Sequence, residues 1–281
     1  MSNEQRRAKI VERIERDGFA TVVGLAKEFA VSPVTVHRDL GALAQRGAIR
    51  RIRGGGSSFN LRPHEIRTEY VLREAQNRDL KLELGMFAVK LIPDRSVIFL
   101  DGSTTCVSLF KAINTAPPRQ LTIVTNSLTV ASSSCDRSIG IVLTPGDVDQ
   151  SLRATIGSWT PEFLQGINID IAFISGAALS LRSGLMTTQA AIADVGLAAI
   201  NRAGRSVAVV DSSKFDSQAL LPFADAGQID LLLSDSSLPD DRATEYQNAG
   251  WTLERSTRLE GGEIERAGPG SNHWNSRHEG P

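Results

Sequence analysis

The chain has 281 residues, of which 41% are hydrophobic and 22% charged, enough apolar material for a small and a medium domain and too much for disorder throughout. It lacks any apolar run of about 18 residues, and its start, MSNEQRRAKIVER, lacks the apolar stretch of a signal peptide, so the expectation is a cytoplasmic protein with no membrane partner. The net charge of -1 is unevenly divided: residues 1–56 hold 11 Lys/Arg against 6 Asp/Glu, a net of +5, and residues 57–281 carry -6.

A basic head on an acidic body suits a chain of which only the head meets a polyanion. From Arg6 to Arg16 the apolar residues Ile10, Val11 and Ile14 predict a first amphipathic helix, stopped by Gly18. Thr21 caps a second helix with Val22, Leu25, Ala26 and Phe29 on one face. Ser32 caps a third, and Pro33 takes its first position, where a missing N–H costs nothing. This third helix runs to about Arg46 with Val36, Leu40 and Leu43 on its inner stripe. Its free face carries Thr35, His37 and Arg38 near the N-terminal end, where a recognition helix offers side chains to base edges, and Ser32 is placed to meet a phosphate. After Gly47, Ile49 and Ile52 alternate with Arg50, Arg51 and Arg53 and lead into Gly54, Gly55 and Gly56. That reads as a β wing, its arginines beside a flexible glycine turn suited to phosphate or minor-groove contact. The alternative is a three-helix interaction module with a solvated basic face.

The run VSPVTVHRDLGALAQRGAIRRIRGGG resembles the DeoR-family signature of Val-Ser, a Thr-initiated recognition helix, Arg-Asp-Leu, a second Leu, Gly, and an Arg-rich wing closed by Gly-Gly. The resemblance implies a winged helix-turn-helix over residues 1–56 that binds a double-stranded DNA operator through Ser32, Pro33, Thr35, His37, Arg38, Arg50, Arg51 and Arg53. His37 stands where that family commonly has a second Arg.

Residues 57–78, polar and with Pro63, read as a linker leading into a helix. Leu80 to Ile92 is helical in period and ends at Pro93. Apolar strands are then predicted at Ser96–Leu100, Leu121–Thr125, Ile139–Leu143, Ile169–Ile174, Ser206–Val210 and Asp230–Leu233, separated by helical or loop stretches. Such alternation is the signature of a parallel sheet covered by helices, and it sets a Rossmann-like α/β domain over 79–258.

In such sheets the ligand lies at the carboxyl ends of the strands. There the chain places Asp101, Gly102, Ser103, Thr104 and Thr105, whose hydroxyls and backbone N–H groups could cradle a phosphate. Thr125, Asn126 and Ser127 follow the second strand. Asp211 and Lys214 follow the fifth, offering an acceptor for sugar hydroxyls and a point charge for phosphate. Gly146 and Gly176 would let backbone approach a ligand. Each cluster also suits an ordinary turn or cap. Their order resembles the DeoR-family effector domain, which implies a ribose-5-phosphate-isomerase-type fold binding a phosphorylated sugar. The chain departs from that pattern at Gly102-Ser103, which reverses the usual order, at Pro145-Gly146 in place of Gly-Gly, and at Gly196, where the family commonly has Lys two residues after an acid, here Asp194.

Two readings beside a sugar-phosphate-responsive repressor of a carbohydrate operon stay open: a DNA-binding regulator whose effector pocket has drifted, and an isomerase carrying a DNA-binding head. Against catalysis, none of His37, His64, His273 and His278 falls in the α/β body, and no nucleophile motif is visible. No cofactor and no metal is expected. Cys106 and Cys135 lack CxxC spacing and read as small buried apolar residues. Operators made of repeated half-sites imply a homo-oligomer, dimer or tetramer. Residues 259–281, rich in Gly, Pro, Asn and Ser, read as a disordered tail.

Overall fold

The computed structural model describes residues 3–17, 19–52, 55–57 and 68–256. The chain divides into two units, Met1–Arg78 and Asp79–Pro281. Gly18, Arg53, Gly54, the three histidines His64, His273 and His278, and the tail lie outside the described residues.

In the first unit the order is α1 (Asn3–Asp17), β1 (Phe19–Thr21), α2 (Val22–Phe29), α3 (Pro33–Gln45), β2 (Arg50–Ile52), β3 (Gly55–Ser57) and α4 (Thr68–Ala75). The caps sit where the sequence puts them. Thr21 Oγ1 accepts from the Gly24 N–H at 3.0 Å, and Ser32 Oγ accepts from the Thr35 N–H at 3.2 Å with Pro33 in the first turn. Between these helices Ala30, at φ 51°, takes the left-handed conformation that ends α2, and the Val31 N–H closes onto the Ala26 carbonyl at 3.0 Å. The helices meet over Ile10, Ile14, Leu25, Val36, Leu40, Leu43 and Ile49, all buried. Each such side chain contributes about 1.5–3 kcal/mol on removal from water.

The wing differs from expectation in two respects. Its sheet has three strands in the order β1-β3-β2, both pairs antiparallel, because the short segment before α2 joins it. Gly55 and Gly56 are also not a flexible turn. They lie in β3, where a Cβ on Gly55 would strike the Ala20 carbonyl and one on Gly56 would come within 2.9 Å of Ile49 and 3.1 Å of Leu40. Glycine is required there so that the backbone can lie directly on the core. In the stretch expected to be irregular, Thr68–Ala75 is helical.

The second unit opens with α5 (Arg78–Val89) and continues β4 (Val97–Leu100), α6 (Thr104–Thr115), β5 (Leu121–Thr125), α7 (Leu128–Ala131), β6 (Ile139–Leu143), β7 (Asp147–Asp149), β8 (Ala154–Ile156), α8 (Trp159–Gln165), β9 (Ile169–Ile174), β10 (Ala178–Ser180), β11 (Gly184–Thr187), α9 (Ala190–Arg202), β12 (Ala203–Val209), β13 (Leu221–Ala224), β14 (Leu231–Ser234), α10 (Asp240–Asn248) and β15 (Leu253–Arg255). Seven strands form one sheet in the order β15-β14-β12-β9-β4-β5-β6, and every pair is parallel. All six predicted strands are in it; β15, which extends it, was not foreseen. Both faces are covered, by one core around Phe99, Ala172, Ala208 and Leu232 and another around Ile98, Leu100, Phe173 and Val209. This double burial is why the central strands read as continuous apolar runs. The hairpin β7-β8 and the antiparallel sheet β10-β11-β13 are additions near the strand ends.

The order has a direct consequence for ligand binding. From β4 the chain winds outward through β5 and β6, then returns to the other side of β4 and winds through β9, β12, β14 and β15. The reversal lies between β4 and β9, and a crevice opens at such a switch point beyond the carboxyl ends of the strands.

Candidate functional site

Each unit holds its own candidate site. In the first, α3 buries Val36, Asp39, Leu40 and Leu43 and leaves Ser32, Pro33, His37 and Arg38 exposed, with Thr35 half-buried. Ser32 Oγ also lies 2.9 Å from Thr35 Oγ1, so this cap closes on itself while its outer face stays open. Arg50 is half-buried and Arg51 exposed. Arg51 reaches across to His37 Nδ1 at 3.2 Å and donates to the Gly55 carbonyl at 3.0 Å. Wing and recognition helix are therefore joined through the residue that departs from the family pattern.

Two features of this face escape a sequence reading. Val34 is 68% exposed at the N-terminal end of α3, a large apolar side chain of the kind that can contact a thymine methyl group. Asp39 is buried and accepts from Arg6 Nε at 2.6 Å and Arg7 Nε at 2.7 Å. Burial alone would raise its carboxyl, but the hydrogen bonds and charge of the two guanidiniums outweigh that and hold it below the ordinary carboxylate value.

In the second unit the switch point collects side chains from four adjacent strand ends. After β4, Asp101 accepts from the Ser103 N–H at 2.9 Å and from the Ser175 N–H, beyond β9, at 2.7 Å. Its buried carboxylate thus ties the two sides of the crevice. Ser103 caps α6 by accepting from the Cys106 N–H at 3.1 Å, and Thr104 and Thr105 fill the first turn, both buried. From beyond β12, Lys214 Nζ lies 3.1 Å from Ser175 Oγ, 3.4 Å from Thr105 Oγ1 and 3.6 Å from Asp211 Oδ2. Asp211 also accepts from Ser213 Oγ at 2.5 Å. From beyond β5, Asn126 donates to the Thr155 carbonyl at 3.1 Å, while its Oδ1, in a side chain 5% exposed, has no hydrogen-bond partner. A Cβ built on Gly102 would lie 3.5 Å from that oxygen, so the free acceptor faces the loop before α6.

The other expected residues are placed differently. Thr125 is fully buried, its hydroxyl donating to the Leu100 carbonyl at 2.6 Å and accepting from the Ser127 N–H at 3.0 Å. Ser127 caps α7 through the Val130 N–H. Both hydroxyls hold the loop rather than face a ligand. Gly176 is a packing position, where a Cβ would come within 2.5 Å of Leu185. Gly146, at φ 148°, lies against the Ile156 carbonyl and Thr160. Ser175 is the member that sequence reasoning missed, since only the pairing of β9 with β4 brings it to Asp101 and Lys214. The departures have local causes. A Cβ at Gly102 would meet Ala154 at 2.9 Å, and one at Gly196 would meet the Phe223 ring at 2.9 Å, so an aromatic ring occupies the space beside α9. Cys106 is buried, its thiol pushed up by burial and by the nearby Asp101. Cys135 is half-buried, and both cysteines are free. Among the described residues no cluster of His, Cys, Asp or Glu could hold a metal, and no helix is long and apolar enough to cross a membrane.

Comparison with known proteins finds a family for each of the two units. A family profile described as the DeoR-like helix-turn-helix domain matches residues 6–60, and another, the DeoR C terminal sensor domain, matches residues 76–236. The chain belongs to the DeoR family. As a DeoR-family member it is a DNA-binding transcriptional regulator rather than an enzyme. It is 29% identical to the HTH-type transcriptional regulator GlpR of Haloferax volcanii over 89% of this chain and 96% of that protein. It is 27% identical to the L-fucose operon activator of Haemophilus influenzae over 83% of this chain and 92% of that protein. Among solved structures, ribose 5-phosphate isomerase A from Methanocaldococcus jannaschii is similar at 22% identity and TM-score 0.35, over 50% of this DeoR-family chain and 55% of that one. The chain spans about half the length of that isomerase, and so weak a likeness says nothing of activity.

Proposed function

We propose that this regulator represses a carbohydrate-metabolism operon by binding a double-stranded operator as a homo-oligomer, under the control of a phosphorylated sugar held at the β4/β9 switch point. The observation that carries the ligand reading is Lys214. Its ammonium sits at the junction of three strand ends, beside the N-terminal turn of α6, whose amides and dipole favour an anion. A phosphate entering there takes over the ammonium from the neutral hydroxyls of Ser175 and Thr105. Asn126 Oδ1, a buried acceptor without a donor, suits a sugar hydroxyl, since leaving it unpaired costs about 1–3 kcal/mol. Asp101, Gly102, Ser103 and Asp211 complete the wall.

At the operator, Val34, Thr35, His37 and Arg38 face base edges, and Ser32, Arg50 and Arg51 face phosphates. Arg53 belongs to the same wing reading. One head makes few contacts, and a homo-oligomer meets repeated half-sites with several.

The test is a titration of the chain's own promoter region at fixed salt, with and without a panel of phosphorylated sugars. Specific binding that one phosphorylated sugar shifts supports the reading, and Lys214→Ala should abolish that shift while leaving DNA affinity intact. Specific binding indifferent to the whole panel favours a drifted pocket, and absence of specific binding removes the repressor. A loss rather than a gain of expression on deleting the gene would mark an activator, as the Haemophilus influenzae relative is named.

A further inference from the structure

Asp235, directly after β14, is fully buried among the strand ends yet belongs to none of the clusters described above. Its Oδ2 accepts from the Ser212 N–H at 2.6 Å, at the start of the turn that carries Lys214, and its Oδ1 accepts from the Ser237 N–H at 3.0 Å. One carboxylate therefore ties the Lys214 turn to the 235–237 loop. The middle residue of that loop, Ser236, donates its N–H at 2.9 Å to Glu83 Oε1, and Ser256 Oγ donates to the same oxygen. Glu83 lies on α5. The same helix packs closely on α6 at Gly85, where a Cβ would lie 2.8 Å from the Ser108 carbonyl and 3.0 Å from Leu109.

Two connections thus converge on α5, one from the Lys214 turn through Asp235 and Ser236, the other from the helix that begins at Ser103. In the chain, α5 is the first element of the sensor unit, separated from α4 of the DNA-binding unit only by Gln76 and Asn77. Coupling between two sites requires an element whose position both can bias. We propose that Glu83 is a positioning residue that locks α5 to the Lys214 turn, so that occupancy of the crevice is transmitted along α5 to the DNA-binding unit. The proposal rests on the ligand reading above for what is transmitted, but the lock itself is a property of the ligand-free chain.

The two parts are tested separately on the full chain. Hydrogen exchange on ligand-free Glu83→Ala should show amides 236–237 exchanging at least about tenfold faster, and amides 212–214 accelerating with them, because the Asp235 bridge moves as one unit with the loop. Glu83→Gln, which keeps an acceptor, should restore most of the protection and guards against a variant that simply unfolds. Acceleration confined to Ser236, with 212–214 unchanged in both variants, would overturn the lock. In operator titrations with whichever phosphorylated sugar shifts the wild type, Glu83→Ala should keep its ligand-free operator affinity within about twofold while the ligand-induced shift falls to near unity. An undiminished shift would overturn the transmission role. A wild type indifferent to every phosphorylated sugar would remove the sensor reading, and the exchange result would still decide the lock.

Discussion

Replacing Asp39 by Asn tests how the recognition helix is held. The carboxylate is 1% exposed and pairs with Arg6 and Arg7, whose side chains are 8% and 20% exposed. Asn keeps the shape and one acceptor but removes the charge, leaving Arg6 largely buried beside a neutral amide. Breaking a buried pair from one side costs about 3–5 kcal/mol, and the retained acceptor places this variant at the lower end, about 3 kcal/mol. In a unit of this size each kcal/mol moves the midpoint by roughly 4–8 °C, so the DNA-binding unit should melt roughly 12–24 °C lower by calorimetry. The pH dependence has a definite sign. A carboxyl lowered by folding contributes in full above its unfolded pKa, near 4, and its contribution is lost as pH falls through the folded value. Wild type and Asp39→Asn should therefore differ most near neutral pH and converge in acid. A loss below about 1 kcal/mol, or a gap that stays constant into acid, would refute the assignment of Asp39 as the clamp between α1 and α3.

Arg38→Ala should weaken the operator by about 1–3 kcal/mol and relax selectivity at one base position, whereas Arg50→Ala should weaken all sequences alike and lower the salt slope by about one; equal behaviour of the two in competition titrations would remove the distinction. Gly55→Ala should destabilise the wing by about 1–3 kcal/mol in denaturant unfolding, because the new methyl meets the Ala20 carbonyl rather than a movable side chain. Tyr246 donates to the Leu179 carbonyl at 3.2 Å, and burial pushes its phenol up to about 12. Tyrosinate absorbance of a Tyr70→Phe chain, which retains Tyr246 alone, should stay low at pH 10, and the stability contributed by this group should fall as pH climbs from 10 toward 12.

The local signals were legible because their causes are local. Ser32 followed by Pro33 announces a helix start in two residues, and the strands of the parallel sheet are apolar because both their faces are covered. Three-residue strands such as β1, β7 and β10 carry no such period and went unseen. The glycines of β3 were legible as glycines but not as packing positions, since Ala20, Ile49 and Leu40 are set against them only by the tertiary fold. Nothing local in the sequence signals the burial of Asp39, because its partners Arg6 and Arg7 lie more than thirty positions earlier. The crevice was outlined at Asp101, Asn126 and Lys214, but Ser175 needed the pairing of β4 with β9, and the part played by Glu83 needed helix α5 to meet the loop at Ser236, 153 residues away.

The reversal of strand order also fixes an order of assembly. Among the described residues, every strand pair and every residue of the head's apolar cluster lies before residue 58, so that cluster can close once Ser57 has left the ribosome. The sensor's central strand waits longer: Leu100 finds its second neighbour only at Phe173, and the crevice gains its cation only at Lys214. Since domains fold as they emerge and long-range parallel pairing is slow, a nascent chain carries a closed helix-turn-helix core for the whole interval in which the sensor sheet is being made.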